Sequence, residues 1–248
     1  MANAKSITVK TGASHPIFEA NPGMWEAVHN RMHEKLFHRD DRVITHGDNA
    51  ANLWLVYKGW VKLTRQTPDG KETIIGLCTE GDVFGKAAIF VGASYPYTAE
   101  IIGDEAQLAS IPAALIQSVA AKDAAASSRL LTLFNERMSQ AQLMLEHMST
   151  MTAAQRLGCF LLRICHKQAD GEKTLHIPIE KNILATHLGM KPETLSRSQQ
   201  QLKPLGIHVA GPEIRIDNIA KLREFVCGSC SESGHCVIDE DNELHGNV

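Results

Sequence analysis

The sequence predicts an α+β protein, and three observations carry that prediction. Over Val43–Ile111, short β-rich runs alternate with glycine-containing turns, a pattern typical of a small antiparallel roll or barrel. Over Ala113–Lys167 the apolar pattern becomes helical. Over Ile179–Ile216 two short helices precede a hairpin. A chain of 248 residues is long enough to hold two such domains, each with its own core.

The roll is predicted from glycine spacing and from short alternating runs. Residues 1–21 are expected to form an arm that leads into a helix over Met24–Leu36. Pro68-Asp69-Gly70 favours a tight turn, because proline presets φ and glycine accepts a positive φ. We interpret Gly47 and Gly59, like Gly70, as hairpin turns. The predicted strands are Asn52–Tyr57, Trp60–Gln66, Glu72–Cys78, Tyr97–Ile102 and Gln107–Ile111.

The helical stretch carries an apolar stripe with a spacing of three or four residues. Such a stripe covers one face of a helix, which packs either on its own domain or against a second copy of the chain. We favour a dimer seam and keep an intramolecular core helix as the alternative. The stripe consists of Leu130, Phe134, Met138, Ala141, Leu145 and Met148.

The third region has the sequence pattern of a winged helix-turn-helix. A short helix is predicted over Ile179–Leu188, followed by the turn Gly189-Met190-Lys191 and a second helix from Pro192 to about Lys203. Proline is well suited to the first helical position. Ile207–Ile216 is then predicted to form a hairpin around Gly211-Pro212.

The second of these helices carries side chains suited to reading bases. Glu193, Ser196 and Arg197 share one face, on which arginine can bind guanine O6 and N7, glutamate can accept from cytosine N4, and serine can serve either base. The alternative is a solvated face with an intrahelical Glu193–Arg197 pair. Lysines nearby, Lys181 among them, would attract phosphates. The residues predicted to contact DNA are Lys191, Glu193, Thr194, Ser196, Arg197 and Lys203.

The formal net charge of −3 conceals an uneven distribution along the chain. Residues 1–150 carry 14 basic and 16 acidic side chains, and residues 151–226 carry 11 and 7. The last 22 residues carry five acidic and no basic side chains. The segment predicted to bind DNA is therefore basic by four charges, and the tail is acidic by five.

The order of these parts, together with Lys191-Pro-Glu-Thr-Leu-Ser-Arg197, resembles the CRP/FNR family of bacterial transcription regulators from about His15 to Phe225. The Glu-x-x-Ser-Arg pattern is similar to the FNR branch, which reads TTGAT-type half-sites. The stretch Ile177–Thr194 and the segment Tyr95–Ala99 are similar to DNR-type regulators of the nitric-oxide response. The resemblance implies a cyclic-nucleotide-binding-like sensory roll with an N-terminal arm over 1–115, a dimerisation helix over 116–150, a winged helix-turn-helix over 151–226 and an acidic Cys-containing tail over 227–248.

This resemblance implies a cytoplasmic homodimer that binds double-stranded DNA and contacts RNA polymerase. No enzyme is expected, because Gly-x-Ser-x-Gly, P-loop and His-Glu-x-x-His motifs are absent from the sequence. No apolar run approaches the ~18–20 residues of a membrane span, and the N-terminus lacks a secretory signal pattern. The competing interpretation is a metal or redox module without DNA binding, built around the cysteine tail.

The family's nucleotide pocket is degenerate in this sequence. Members that bind cAMP have Phe-Gly-Glu, whose carboxylate takes the ribose, and then Arg-Thr/Ser-Ala, whose guanidinium neutralises the phosphate. Here the corresponding residues are Phe84-Gly85-Lys86 and Tyr97-Thr98-Ala99, so both charged partners are lost. The pocket residues are Gly85, Lys86, Tyr97 and Thr98, and cAMP is not expected to bind.

The tail offers three soft ligands in Cys227-x2-Cys230-x5-Cys236. FNR has the same spacing near its N-terminus and holds an iron–sulfur cluster with a fourth cysteine, which corresponds to Ala109 here. The fourth ligand would then be Cys78, a side chain of the long helix, His235 or His245. An iron–sulfur cluster, a zinc ion bound by Cys3His, and an acidic tail with free thiols remain alternatives.

Haem is a further alternative, because DNR-type regulators are thought to bind it through histidine. Among the 12 histidines, the candidates include His15, His33, His38 and His187, although His187 lies inside the helix-turn-helix and is interpreted as a packed or surface histidine. Covalent haem is excluded, because no Cys-x-x-Cys-His motif occurs. Cys159 and Cys165 are interpreted as small core residues.

Overall fold

The computed structural model describes residue 28 and residues 30–90, 92–167 and 174–227. The described residues have an α+β fold, as predicted, and form two compact units that divide between Ser139 and Gln140. The first unit is built on an antiparallel sheet, and the second combines helices with a small sheet.

The first unit contains an antiparallel sheet of six strands. β6 pairs with β1, β2 and β3, whereas β3 also pairs with β4 and β5. Alternate side chains of the long strands β3 and β6 are buried, which places the core of this unit on the inner face of the sheet. The strands are β1 (His33–His38), β2 (Arg42–Ile44), β3 (Asn52–Gln66), β4 (Glu72–Cys78), β5 (Val83–Phe84) and β6 (Thr98–Pro112).

The interpretation of Gly59 as a hairpin turn is wrong. The predicted strands on either side of it are one strand, β3, which pairs with β6 through register shifts on both sides of Lys58. Gly59 has φ +94°, and a Cβ there would lie 2.6 Å from the carbonyl oxygen of Glu105. The glycine therefore permits a bulge against β6 rather than a reversal of the chain. Gly47 lies in a turn between two strands that both pair with β6, so it forms no hairpin either.

The predicted helix over Met24–Leu36 is also wrong in its described C-terminal part. His33–Leu36 belong to β1, which pairs with β6 from His33 opposite Ser110 to His38 opposite Glu105. Phe37 is buried and packs edge-on against Trp54. Pairing with β6 and burial of Phe37 outweigh the weak helical periodicity of this segment.

The helical stretch that follows the roll is divided at Asp123. The side chain of Asp123 accepts the backbone N–H of Ala125 at 2.8 Å, and its extended backbone separates the first two helices. The described helices are α1 (Ala113–Lys122), α2 (Ala124–Thr150), α3 (Ala153–Lys167), α4 (Lys181–His187), α5 (Pro192–Leu202) and α6 (Ile219–Cys227).

The second unit packs α3 against α5 and α6 beside a three-stranded antiparallel sheet. The sheet consists of β7 (Thr174–His176), β8 (Ile207–Ala210) and β9 (Glu213–Ile216), with β9 in the centre. Gly158 of α3 lets α6 approach closely, since a Cβ there would lie 2.6 Å from Val226. Strand β7 and helix α6 were not predicted from the sequence.

None of the helices in the described part of the chain is both long enough and apolar enough to cross a bilayer.

Candidate functional site

The α4–turn–α5 segment has the backbone that a helix-turn-helix requires. The backbone N–H of Leu188 bonds to the carbonyl of Leu184, and Gly189 then takes φ +63°, a conformation that suits glycine. Lys191 is extended, and Pro192 is the first residue of α5. The predicted order of helix, glycine turn and helix is therefore present.

Helix α5 is held by one apolar face. Leu195 and Leu202 are buried, as are Leu184 and Leu188 of the preceding helix and its end. Ser198 is buried on the same helix, and its hydroxyl donates to the carbonyl of Thr194 at 2.9 Å. Because this face is fixed in the unit, the opposite face has a defined orientation.

The opposite face carries the predicted base-reading side chains. Glu193 and Arg197 are both among the described residues, both are exposed, and they form no ion pair with each other. The alternative of an intrahelical Glu193–Arg197 pair is therefore not supported. Ser196 is half-buried, and its hydroxyl donates to the carbonyl of Pro192 at 3.1 Å. The serine oxygen retains lone pairs that can accept a hydrogen bond.

Three lysines surround this helix. Lys191 directly precedes α5, Lys203 directly follows it, and Lys181 begins α4. All three are exposed, whereas Thr194 is half-buried. Exposed ammonium groups at both ends of α5 suit phosphate contacts without base preference.

The exposed face of the three-stranded sheet is a mixed-charge surface. The carboxylate of Asp217 accepts from Arg215 at 2.9 Å and lies 2.9 Å from the imidazole of His208. The imidazole Nδ1 of His176 likewise lies 2.6 Å from the carboxylate Oε1 of Glu213. The Arg215–Asp217 pair leaves the excess of four basic charges in residues 151–226 unchanged, because both side chains are already included in that count.

The apolar stripe of α2 changes character along the helix. Leu130 is buried, and Phe134 is half-buried with its ring 5.5 Å from that of Phe90. Met138 is 60% exposed and Leu145 is 72% exposed. Met148 is 45% exposed, and Ala141 is exposed. The C-terminal half of the stripe is therefore an open apolar surface in a single chain.

Two of the pocket residues are joined by a hydrogen bond. The backbone N–H of Gly85 donates to the phenol oxygen of Tyr97 at 2.8 Å. Gly85 has φ +75°, and a Cβ there would lie 2.8 Å from the carbonyl oxygen of Asn52. Thr98 accepts the backbone N–H of His46 at 3.2 Å. Lys86 begins the short 3-10 turn Lys86–Ile89 directly after this site.

Only one of the three tail cysteines lies within the described residues. Cys227 ends α6 and is half-buried. Cys230, Cys236, His235 and His245 lie outside the described residues, as does His15. Across residues 30–90, 92–167 and 174–227, no group of three or more His, Cys, Asp or Glu side chains could hold a metal ion.

The other candidate ligands are spread through the fold. Cys78 and Cys159 are buried, and burial raises the pKa of the Cys165 thiol to about 11. His33 and His38 are exposed on β1. His187 is half-buried at the end of α4, and its ring packs edge-on against Phe160 of α3, in agreement with the interpretation of a packed histidine.

Comparison with known protein families accounts for both units. The family model for the cyclic nucleotide-binding domain matches residues 34–123, which span β1 to Asp123. The model for the Crp-like helix-turn-helix domain matches residues 155–225, which include α4, α5 and the three-stranded sheet. The chain belongs to the CRP/FNR family of transcription regulators. Members of the CRP/FNR family with this helix-turn-helix bind DNA.

Individual CRP/FNR relatives are similar over most of their length. The nitrogen fixation regulation protein FixK of Rhizobium meliloti is 29% identical over 161 residues, covering 65% of this chain and 71% of FixK. The anaerobic regulatory protein of Aggregatibacter actinomycetemcomitans is 24% identical over 183 residues, which cover 72% of this chain and 70% of that protein. The structure of FixK2 from Bradyrhizobium japonicum has the same fold, with a TM-score of 0.68, 22% identity, and coverage of 78% and 96%.

Proposed function

We propose that this CRP/FNR-family regulator is a homodimer that reads a TTGAT-type palindrome through α5 and responds to a redox or gas signal, oxygen or nitric oxide. The observation that carries the DNA-reading part is the exposed Glu193–Arg197 face on a helix whose other face is buried. A fixed helix with unpaired polar side chains can present them to base edges in the major groove.

The three base-reading side chains have distinct roles in this proposal. The Arg197 guanidinium forks onto guanine O6 and N7, and the Glu193 carboxylate accepts from cytosine N4. The hydroxyl of Ser196 donates within the helix, so the serine acts as an acceptor from a base amino group. Lys191 and Lys203 contact phosphates on either side, and the half-buried Thr194 is a further DNA contact of α5.

The exposed C-terminal half of the α2 stripe supports the homodimer. Met138, Leu145 and Met148 form an apolar surface along one helix, and a second copy of the same helix would cover it symmetrically. A two-fold dimer presents two α5 helices to half-sites about 34 Å apart, which is one turn of DNA. The apolar stripe and the palindrome are thus two consequences of one symmetry.

Cyclic nucleotide is not the signal in this proposal. Lys86 and Tyr97 occupy the positions of the family's ribose carboxylate and phosphate guanidinium, and the hydroxyl of Tyr97 already binds Gly85. A cyclic phosphate brought there would be an anion without its bidentate partner.

The cysteine tail is our candidate for the sensor. Three thiolates from Cys227, Cys230 and Cys236 suit an iron–sulfur cluster, which would supply reactivity toward oxygen or nitric oxide. Zinc would need His235 or His245 as a fourth ligand, and haem would use a histidine elsewhere. Cys227 lies directly after Phe225 and Val226, whose helix is held to α3. The side chain of Gln155 donates to the carbonyl of Phe225 at 3.2 Å.

Two measurements on protein purified without oxygen test this proposal. An absorption shoulder together with stoichiometric iron and sulfide would support the iron–sulfur cluster. A Soret band would show that the cofactor is haem instead. A colourless protein that contains zinc would eliminate both. A gel shift with a TTGAT-type palindrome, before and after exposure to air, tests DNA binding and signal response together. Retention of the palindrome no stronger than that of a scrambled duplex would contradict the regulator and favour a redox module that does not bind DNA.

A further inference from the structure

Arg156, in the first turns of α3, binds two carbonyl groups that belong to different parts of the second unit. Its Nη1 donates to the carbonyl oxygen of Met151 at 2.8 Å. Its Nε donates to the carbonyl oxygen of Leu188 at 3.1 Å. The side chain is half-buried, so these hydrogen bonds are partly shielded from water.

The two carbonyls belong to the ends of two functional helices. Met151 directly follows α2, and its backbone N–H still bonds to the carbonyl of His147 at 3.1 Å. Leu188 directly follows α4 and opens the turn that leads into α5. Carbonyls at helix C-termini lack partners within the helix, and a guanidinium at such an end satisfies them and favours the helix dipole.

A second contact joins the end of α2 to the turn that follows α4. Gly189 has φ +63°, and a Cβ there would lie 2.2 Å from Cε and 2.8 Å from Sδ of Met148. The thioether of Met148, in the last turn of α2, therefore lies directly on the backbone of the turn. A Cβ at this position would displace the end of the Met148 side chain, and glycine also tolerates the positive φ.

We propose that Arg156 and Met148 are positioning residues that couple the end of α2 to the helix-turn-helix turn, and through that turn to the base-reading side chains of α5. We call these two contacts the α2–turn joint. This inference rests on the proposed DNA-reading function of α5. It adds residues that touch no base but determine where Glu193 and Arg197 lie.

The geometry of the guanidinium explains why the joint transmits movement. Its donors have fixed directions, so a shift of Met151 relative to Leu188 breaks one of the two hydrogen bonds unless both carbonyls move together. Leu188 precedes Pro192, the first residue of α5, by only the short turn. A lysine at position 156 would keep the charge but lose the fixed directions, because its ammonium is a single group on a flexible stem.

A positioning role and a purely stabilising role predict different results. Loss of stability lowers the fraction of folded protein and so weakens binding to every duplex by the same factor. A misplaced α5 loses base contacts but keeps phosphate contacts, so affinity for the palindrome falls more than affinity for a scrambled duplex. The ratio of the two affinities therefore separates the two roles.

The experiment measures this ratio by fluorescence anisotropy for full-length wild type, Arg156→Lys, Arg156→Met and Met148→Ala. Arg163→Met and Met144→Ala are matched controls. Arg163 is exposed on α3, and its guanidinium has no hydrogen bond to the described residues. Met144 is an exposed methionine of α2. We expect the ratio of palindrome affinity to scrambled-duplex affinity to fall about ten-fold or more in Arg156→Met, because this variant loses two hydrogen bonds from a charged group. In Arg156→Lys and Met148→Ala the ratio should fall by a smaller factor.

Each outcome bears on one claim. Light scattering at the assay concentration verifies that Met148→Ala has the same mass as wild type, so that a change in its ratio does not come from the dimer. An unchanged ratio in Arg156→Met and Met148→Ala, with wild type still discriminating, would overturn the α2–turn joint alone. A wild type that does not discriminate would instead overturn the proposed function. An equal change in the Arg163→Met control would also overturn the joint.

Discussion

The phenol oxygen of Tyr97 accepts the backbone N–H of Gly85 at 2.8 Å. In nucleotide-binding relatives, a guanidinium at the position of Tyr97 would face a cyclic phosphate, and the residue after the glycine would face the ribose. Here the glycine and the tyrosine are bound to each other, and Lys86 follows them. We propose that the roll lacks the two charges that would recognise a cyclic nucleotide.

We expect that cAMP does not bind to the protein. Millimolar cAMP should shift neither the melting temperature nor the affinity for the palindrome, because a ligand stabilises only a protein that binds it. Tyr97→Phe should lower the free energy of unfolding by about 1 kcal/mol through loss of the hydrogen bond to Gly85. A rise in melting temperature with cAMP would contradict the interpretation of the pocket.

Base reading by α5 predicts opposite behaviour for two exposed cations. Arg197→Ala should cost about 1–3 kcal/mol of discrimination at one base pair. Lys203→Ala should weaken binding to all sequences equally and reduce the salt dependence by about one phosphate contact. Anisotropy titrations on the palindrome and on single-base variants measure both. Unaltered base preference in Arg197→Ala would remove this residue from the reading face.

The α2 stripe predicts a charge-sensitive dimer. Leu145→Glu should give the mass of one 27.2 kDa chain in light scattering, because a carboxylate in an apolar seam loses its hydration. Thr132→Glu is the control, since Thr132 is an exposed residue of the same helix outside the stripe and receives the same charge. Dimers in Leu145→Glu, or monomers in both variants, would contradict the seam.

Two glycines with similar φ should differ in their tolerance of alanine. Gly59 (φ +94°) lies against β6, whereas a Cβ added at Gly70 (φ +81°) would meet no atom within 4 Å. Gly70→Ala should cost about 1 kcal/mol from backbone strain alone, and Gly59→Ala should cost about 2 kcal/mol more from overpacking. Chemical denaturation measures both. Equal losses of unfolding free energy in the two variants would show that the contact between the added Cβ and the Glu105 carbonyl is relieved without loss of stability.

The raised pKa of Cys165 predicts slow alkylation. A thiol with a pKa of about 11 is about one part in a thousand thiolate at pH 8, and the thiolate is the nucleophile. A raised pKa favours the neutral thiol, so labelling should increase only as the pH rises toward 11. Mass spectrometry after iodoacetamide treatment should find Cys165 labelled in denatured but not in native protein at pH 8. Equal labelling in both would contradict its burial.

The helix-turn-helix could be predicted from the sequence because its signals are local. Gly189 and Pro192 mark the turn and the start of α5, and the spacing of Leu195 and Leu202 gives its buried face. The exposed face with Glu193 and Arg197 follows directly. That these two side chains are not paired with each other is a property of the fold and needed the structure.

The errors arose where distant segments decide the conformation. The bulge at Gly59 depends on pairing with β6, and His33–Leu36 become a strand because β6 offers an edge. A glycine between two β-rich runs is equally typical of a turn, so the sequence alone does not distinguish the two. Arg156 gave no signal either, because its two carbonyl partners lie 5 and 32 residues away.

Whether α5 reads bases can be decided by one pair of titrations. Wild-type protein, at one fixed salt concentration, is titrated against a TTGAT-type palindrome and against a scrambled duplex of equal composition. We expect the palindrome to bind about a thousand-fold tighter or more than the scrambled duplex, which is the usual margin of specific over non-specific binding. Equal affinities with the same salt dependence would contradict it, because the protein would then contact phosphates alone.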